Sequence, residues 1–278
     1  MKTKGEHAAV YALLIFLAAA FLAPIFIILL NSVKTNFYIS EKPFSIPSGD
    51  AYAGLQNFIK GFTQSDFSRA FANSLFITVF SVAGIVVLTS MAAWYIVRIK
   101  NKLTKAIYYL FVFSMIVPFQ MVMYTMTFFA FELSLNSLAG IVIIYLGFGA
   151  GLSVFLFSGF IKSIPTEIEE AATIDGCSPV KTFLLIVFPI LKPTAITVAI
   201  LNAMWIWNDY LLPYLLLGSG KNRTLPVAIQ MALTGGYGNK DMGALMAMLV
   251  LAILPIIIFY LFCQKYIIKG VVSGAVKG

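Results

Sequence analysis

Residues 70–105 read AFANSLFITVFSVAGIVVLTSMAAWYIVRIKNKLTK. No Asp, Glu, Lys or Arg interrupts residues 70–97, and Arg98, Lys100, Lys102 and Lys105 then follow in close order. A charge-free run of that length exceeds the ~20 residues an α-helix needs to cross a hydrocarbon core. Clustered Lys and Arg mark the cytoplasmic end of such a helix. The stretch therefore predicts a transmembrane helix with its C-terminal end inside the cell.

The same pattern recurs along the chain. Residues 8–33, 106–131, 133–161 and 242–264 carry no charge, and residues 193–220 are interrupted only by Asp209. These runs predict an all-α membrane protein with six spans, at about 9–31, 71–97, 106–127, 138–161, 194–217 and 242–264, in one transmembrane domain over residues 1–278. A β-barrel would need short alternating strands instead. Composition agrees: 60% of residues are hydrophobic, 11% are charged and the mean hydropathy is +0.94. Soluble chains carry about 25% charged residues, so a water-soluble enzyme is excluded, as are disordered and fibrous classes.

The net charge of +8 is explained by orientation rather than by nucleic acid. With the N-terminus inside, twelve of the 19 basic residues fall on cytoplasmic segments, which also puts the C-terminus inside. The first span has a basic start and the small residues Ala18, Ala19, Ala20 and Ala23. Its apolar run is too long for a signal peptide core, so an uncleaved helix is expected. The two cysteines, Cys177 and Cys263, are expected on the cytoplasmic side and imply neither a disulfide framework nor a metal site.

Local decoys fall away on spacing. Gly218-Ser219-Gly220-Lys221 resembles the end of a phosphate-binding loop, but Leu215 and Asn222 occupy positions where that motif needs Gly and Ser or Thr. Asn222-Arg223-Thr224 fits a glycosylation sequon that is common by chance. Gly147, Gly149 and Gly151 suit close helix packing or a kink. His7 has no evident partner, and no catalytic triad or carboxylate pair lies inside the spans.

One connector is different. Residues 163–193 read SIPTEIEEAATIDGCSPVKTFLLIVFPILKP, far longer than ordinary helix–helix loops. Thr166 and Glu169 fit a capping box, Gly176 a helix stop, and Ser178-Pro179 an N-cap with a first-turn proline. Pro189 and Pro193 break the second helix. The prediction is a helix–turn–helix under the membrane, with four acids and no base over 167–175. Helices that rest on lipid are usually basic on their polar face, so an acidic helix with Ala171 and Ala172 suits docking into a basic groove of a soluble partner.

Glu170-Ala171-Ala172, Gly176, Ile186 and Phe188-Pro189 at this spacing resemble the EAA signature of permeases of ATP-binding-cassette importers, with Phe188 where that pattern has Leu. Ile116-Val117-Pro118, Trp207-Asn208-Asp209-Tyr210 and the tail from Lys269 to Gly278 extend the resemblance to the smaller, six-helix subunit of maltose-type transporters. The resemblance implies a type I importer of the carbohydrate class, with a permease for another solute of glycerol-phosphate or polyamine type as the alternative, in a bacterial or archaeal cytoplasmic membrane. A second permease subunit would share the path, and two ATPase subunits would dock on the EAA loops and bind ATP and Mg. An extracytoplasmic binding protein would deliver the sugar. This chain would itself be no enzyme and hold no cofactor or metal. On it, Glu170, Ala171, Ala172, Asp175, Gly176, Ile186 and Pro189 would form the ATPase-coupling surface. Lys269, Gly274 and Lys277 would belong to a tail (265–278) touching the ATPases.

For the substrate path, a rise of ~1.5 Å per residue puts Asn202 roughly 13 Å into the fifth span, with Trp205, Asn208 and Asp209 deeper. Polar groups at depth face a bundle interior or a water-filled cavity, and aromatic rings beside amides suit a sugar. Trp205, Trp207 and Tyr210 equally fit an outer aromatic belt. Gln120, Met123 and Tyr124 suit either a gate or packing against a partner. Two other classes stay open on the residues alone. An ion-coupled transporter would carry ionisable relays and repeats, and a membrane receptor or scaffold would bind a cytoplasmic partner without moving solute.

Overall fold

The computed structural model describes the backbone of residues 4–64, 66–235 and 240–275, and the side chains of residues 10–63, 66–235 and 240–265. Fourteen α-helices, a 3-10 turn (Gly49–Ala51) and a π-helical turn are found among the described residues, and no β-strand. They are α1 (Lys4–Ser32), α2 (Asn36–Glu41), α3 (Gln56–Gln64), α4 (Phe67–Arg98), α5 (Lys102–Ile116), α6 (Phe119–Glu132) and α7 (Leu138–Ile161). Then come α8 (Glu167–Ile174), α9 (Pro179–Thr182), a π-helical turn (Phe183–Val187), α10 (Phe188–Ile190), α11 (Lys192–Asn208), α12 (Leu211–Leu217), α13 (Leu225–Thr234) and α14 (Met242–Ala275).

Four of these are long and apolar enough to span a membrane: Val10–Ser32, Phe67–Arg98, Leu138–Ile161 and Met242–Lys265. The two remaining expected spans are each interrupted. The third, expected as one helix over 106–127, is α5 and α6 meeting at 107°. Pro118 has no N–H to continue the ladder and restricts the residue before it, and Val117 is extended (φ −75°, ψ 114°). The 77° bend between the Pro179–Ile190 segment and α11 falls before the fifth run, near the break expected at Pro189 and Pro193, whereas within the run the helix stops at Asn208 before α12 begins at Leu211.

The chain forms two compact units. One comprises Met1–Ser68 and Ala228–Ile257. Here α1 is apolar all round, buries none of its apolar stretch within the chain, and so reads as a helix that meets lipid or another subunit. Below it Lys34 is fully buried, its ammonium donating to the carbonyls of Lys42 (2.9 Å) and Pro43 (3.1 Å). Asn57 donates to the carbonyls of Ser32 and Lys34 at 2.9 and 2.7 Å. The Asn57 bonds satisfy carbonyls freed where α1 ends, and the Lys34 bonds satisfy carbonyls just past α2.

The other unit comprises Arg69–Val227 and Ile258–Gly278, and α7 is its central helix. Ser137 caps α7 by accepting from the Gly140 N–H. Along it Ile141, Tyr145, Val154, Phe157 and Ile161 are fully buried, packed with Ile77, Ile85, Phe183, Val187, Leu191, Val198 and Ile206. In lipid such helices associate by close packing rather than by escape from water, and the glycines of α7 provide it. A Cβ on Gly151 would sit 2.7 Å from the Phe111 carbonyl oxygen, and one on Gly149 2.5 Å from Ile85 Cδ1. Gly147 faces open space, so the expected packing role holds for two of the three glycines.

Candidate functional site

The loop of residues 163–193 folds as the two-part helical element the sequence predicts. Gly176 ends α8 at φ +81°, a conformation that side chains disfavour. The Gly176 N–H donates to Thr173 and the Cys177 N–H to Ala172, both at about 3 Å, the paired bonds of a Schellman stop. Ser178 then caps α9, with Pro179 in its first turn.

The expected capping box at the start of α8 is absent. Thr166 has a helical backbone and makes no side-chain cap bond. The Glu169 carboxylate is drawn elsewhere. It accepts from Arg98 Nε (3.0 and 3.2 Å), from Arg98 Nη2 (2.7 Å) and from the Trp94 indole N–H (2.9 Å). The pair is mostly enclosed, with side chains 18% and 13% exposed. Arg98 Nη2 also donates to the Ile164 carbonyl at 3.0 Å. One guanidinium at the end of α4 thus grips both the approach to α8 and its first turn, in the forked geometry that makes Arg–carboxylate pairs strong. Trp94 further packs on Phe183 of the π-helical turn, ring centroids 5.5 Å apart.

This anchoring sorts the loop residues. Glu167, Glu170, Ala171, Asp175 and Pro189 are exposed and Ile186 is half-buried. Ala172, expected beside Ala171 on the docking surface, is instead buried at 4% exposure. Ile174, Val180, Leu184 and Leu185 are exposed apolar neighbours. The element therefore presents an acidic and apolar outer face and fixes its inner face to a span. Sequence reading missed Arg98, Trp94 and the role of Glu169; a guanidinium at the end of an otherwise apolar helix was the available signal. In the tail, the backbone of Lys269 and Gly274 continues α14, and Lys277 lies outside the described residues.

The polar residues of the fifth run divide as well. Asn202 is buried at 4% exposure and donates to Ser153 Oγ (3.2 Å) and the Val198 carbonyl (2.9 Å). It joins α11 to α7. Asp209, expected on the helix face, lies at the break instead. Its Oδ1 accepts from the backbone N–H of Leu211 (3.0 Å) and Leu212 (3.5 Å), and its Oδ2 from the Tyr145 hydroxyl (2.9 Å). It therefore starts α12 and ties that start to α7. Trp205 meets Tyr145 edge-on at 5.4 Å and keeps 42% of its surface exposed. Asn208 is exposed, with its amide donating back to Met204, while Trp207 is buried against Phe71. Gln120 and Tyr124 are both exposed on α6, which packs on α12. No cluster of His, Cys, Asp and Glu suited to a metal occurs among the described residues.

These features define a class: a multi-span, all-helical membrane protein carrying a short helix clamped to one of its spans. Comparison with known proteins is specific. Residues 85–273 match the family described as binding-protein-dependent transport system inner membrane component, and the chain belongs to that family. It is 40% identical over 263 residues to the probable starch degradation products transport system permease protein AmyC of Thermoanaerobacterium thermosulfurigenes, covering 95% of this chain and 94% of that one. It is 36% identical to the melibiose/raffinose/stachyose import permease MelC of Bacillus subtilis over 94% of this chain and 93% of that one. The multiple sugar-binding transport system permease MsmG of Streptococcus mutans is 35% identical over 96% of both. In fold it resembles a chain of a bacterial ABC transporter involved in the import of the acidic polysaccharide alginate, with a TM-score of 0.79 and 22% identity over 96% of this chain and 99% of that one.

Proposed function

We propose that this chain is the six-span permease subunit of an ATP-driven importer that takes up a sugar or oligosaccharide handed over by an extracytoplasmic binding protein. Residues 1–278 act as one transmembrane domain in a bacterial or archaeal cytoplasmic membrane, with both termini and the 163–193 loop inside. The observation that carries the reading is the clamp of Arg98 and Trp94 on Glu169, which leaves Glu170 and Ala171 outward. Relatives whose names refer to starch products, melibiose and multiple sugars support the substrate class.

The geometry gives a mechanical account. Two ATPase subunits, which hold ATP and Mg, dock on this loop and on its counterpart in a second permease subunit. Glu170 and Asp175 meet their basic groove, and Ala171 allows close approach. Gly176 fixes the turn, Ile186 and Pro189 set the second half, and the tail at Lys269, Gly274 and Lys277 adds a contact. When the ATPases move, α8 moves as a unit, because its end is closed by Gly176 and its start is held by Arg98. The displacement passes through that clamp to the end of α4 and through Phe183 to Trp94. On the substrate side, Trp205 and Asn208 at the end of α11, with Gln120 and Tyr124 on α6, offer an aromatic face and amides for sugar C–H groups and hydroxyls. Asn202 and Asp209 hold the helices that carry them.

The test is uptake by the assembled importer in proteoliposomes. Transport is expected to require ATP, the ATPase subunits and the binding protein. Uptake by this chain alone, driven by an ion gradient, would overturn the reading, as would partner docking without any solute flux.

A further inference from the structure

A cleft of about 910 Å³ lies among the end of α4, the start of α5, the end of α7 and the approach to α8, lined in part by Arg98, Lys100, Lys102, Lys105, Lys162 and Ser158. Arg98 is committed to Glu169. Lys100, Lys102 and Lys105 are exposed and make no ion pair among the described residues. Lys162 is exposed and places its ammonium 5.5 Å from the Tyr108 ring centroid. Orientation in the membrane accounts for basic residues on this loop; it does not account for their convergence on one cavity from three helices, where like charges repel.

A further observation points to an anion. Ser158 is fully buried, yet its hydroxyl has no hydrogen-bond partner, an arrangement folded proteins avoid unless something else supplies the partner. Leading away from the cleft along α5, Leu103, Leu110 and Phe113 are 67%, 67% and 62% exposed at helical spacing, forming one apolar stripe with Ala106 between them. The cleft sits where the charge-free run of α4 ends and that of α5 begins, the level of lipid headgroups in a spanning protein.

We propose that the cleft binds the phosphate headgroup of an anionic phospholipid of the cytoplasmic leaflet. The lysines and the Ser158 hydroxyl take the phosphate oxygens, and an acyl chain lies along the α5 stripe. A free phosphate would use the cations and leave the stripe unused. Because Arg98 at the end of α4 and Thr166 just before α8 both line the cleft, the bound lipid stands beside the clamp that joins α8 to α4. The proposal rests on the orientation given above, with residues 98–105 on the cytoplasmic side.

The experiment uses the complete importer in nanodiscs of phosphatidylcholine carrying a small fraction of fluorescent phosphatidylglycerol, with enrichment at the protein read by energy transfer. Wild type is expected to enrich phosphatidylglycerol over an equally labelled phosphatidylcholine. Lys100→Gln/Lys102→Gln/Lys105→Gln is expected to weaken that preference by about tenfold or more. Ser158→Ala, which leaves every charge in place, is expected to weaken it about twofold to fivefold. Unchanged enrichment in both variants would overturn the proposal. Inorganic phosphate or glycerol phosphate displacing the lipid at equal concentration would make the ligand a soluble anion and overturn the lipid assignment. Release of the ATPase subunits by the triple variant, with enrichment intact, would make the cleft a protein dock and also overturn it. A failure of orientation is separable: Lys100→Cys would then react with an impermeant thiol reagent added outside intact cells.

Discussion

Arg98 and Glu169 meet across 71 positions of sequence, the guanidinium holding the carboxylate through both Nε and Nη2. No local rule joins them, yet the pair decides how the 163–193 loop sits on its span. A double-mutant cycle measures it. Arg98→Gln and Glu169→Gln are each expected to destabilise the protein, and the double variant to lose less than the sum. Hydrogen bonds to charged groups contribute about 1.5–3 kcal/mol, so a coupling energy in that range is expected from unfolding of the purified chain in detergent micelles. Additive losses would show that the two residues act independently.

The outward face makes a different prediction. Glu170→Lys reverses an exposed charge whose side chain makes no hydrogen bond or ion pair among the described residues, so the melting temperature is expected to stay within a few degrees of wild type. Substrate-stimulated ATP hydrolysis by the assembled importer is expected to fall about tenfold or more, because a repelled docking contact costs at least one 1.4 kcal/mol step. Hydrolysis and uptake at wild-type rates would remove Glu170 from the coupling surface.

These two residues show where sequence reading succeeds and where it stops. Gly176, Ser178 and Pro179 were legible because each acts through its immediate neighbours: a left-handed stop, a cap, a first-turn proline. Glu169 was misread for the same reason. Its spacing from Thr166 fits a capping box, but a fixed guanidinium and an indole N–H from a distant span outcompete the loop's own backbone. The spans were legible from missing charge, which reports an apolar surroundings but not a straight axis. Pro118 therefore bends the third run by 107° inside a stretch that hydropathy reads as uniform. Polarity at depth was likewise ambiguous: Asn202 is satisfied by α7, and its amide gave no sign of which neighbour it would find.

The break in the fifth run offers a test of structure against transport. Asp209 accepts from Leu211, Leu212 and Tyr145. Asp209→Ala removes a helix-starting acceptor and strands the tyrosine hydroxyl, a loss of about 1–2 kcal/mol. Asp209→Asn is expected to keep most of the stability, since an amide oxygen also accepts from N–H groups at a helix start. Tyr145→Phe should cost about 1 kcal/mol. If Asp209→Asn abolished uptake with stability retained, the carboxylate charge would have a role in the path beyond holding α12.

The last prediction concerns the glycines of α7, where one residue type has opposite consequences within a single turn. A Cβ at Gly151 would lie 2.6 Å from Ser114 Oγ and 2.7 Å from the Phe111 carbonyl oxygen, while at Gly147 it meets nothing within 4 Å. The Phe111 oxygen belongs to the α5 backbone, so Gly151→Ala must push α5 and α7 apart. Overpacking of that kind costs about 1–3 kcal/mol. Gly147→Ala has no such neighbour and replaces a poor helix former by the best one, which favours the helix by up to about 1 kcal/mol. Gly149 is intermediate: its Cβ would meet the flexible end of Ile85 at 2.5 Å, but also Asn202 Oδ1 at 2.7 Å, whose side chain is bonded to Ser153. Melting of the three alanine variants should therefore order them with Gly147→Ala most stable and Gly151→Ala least. If Gly147→Ala proved as damaging as Gly151→Ala, the glycines would be acting through helix flexibility rather than close approach, because only flexibility is lost equally at both positions.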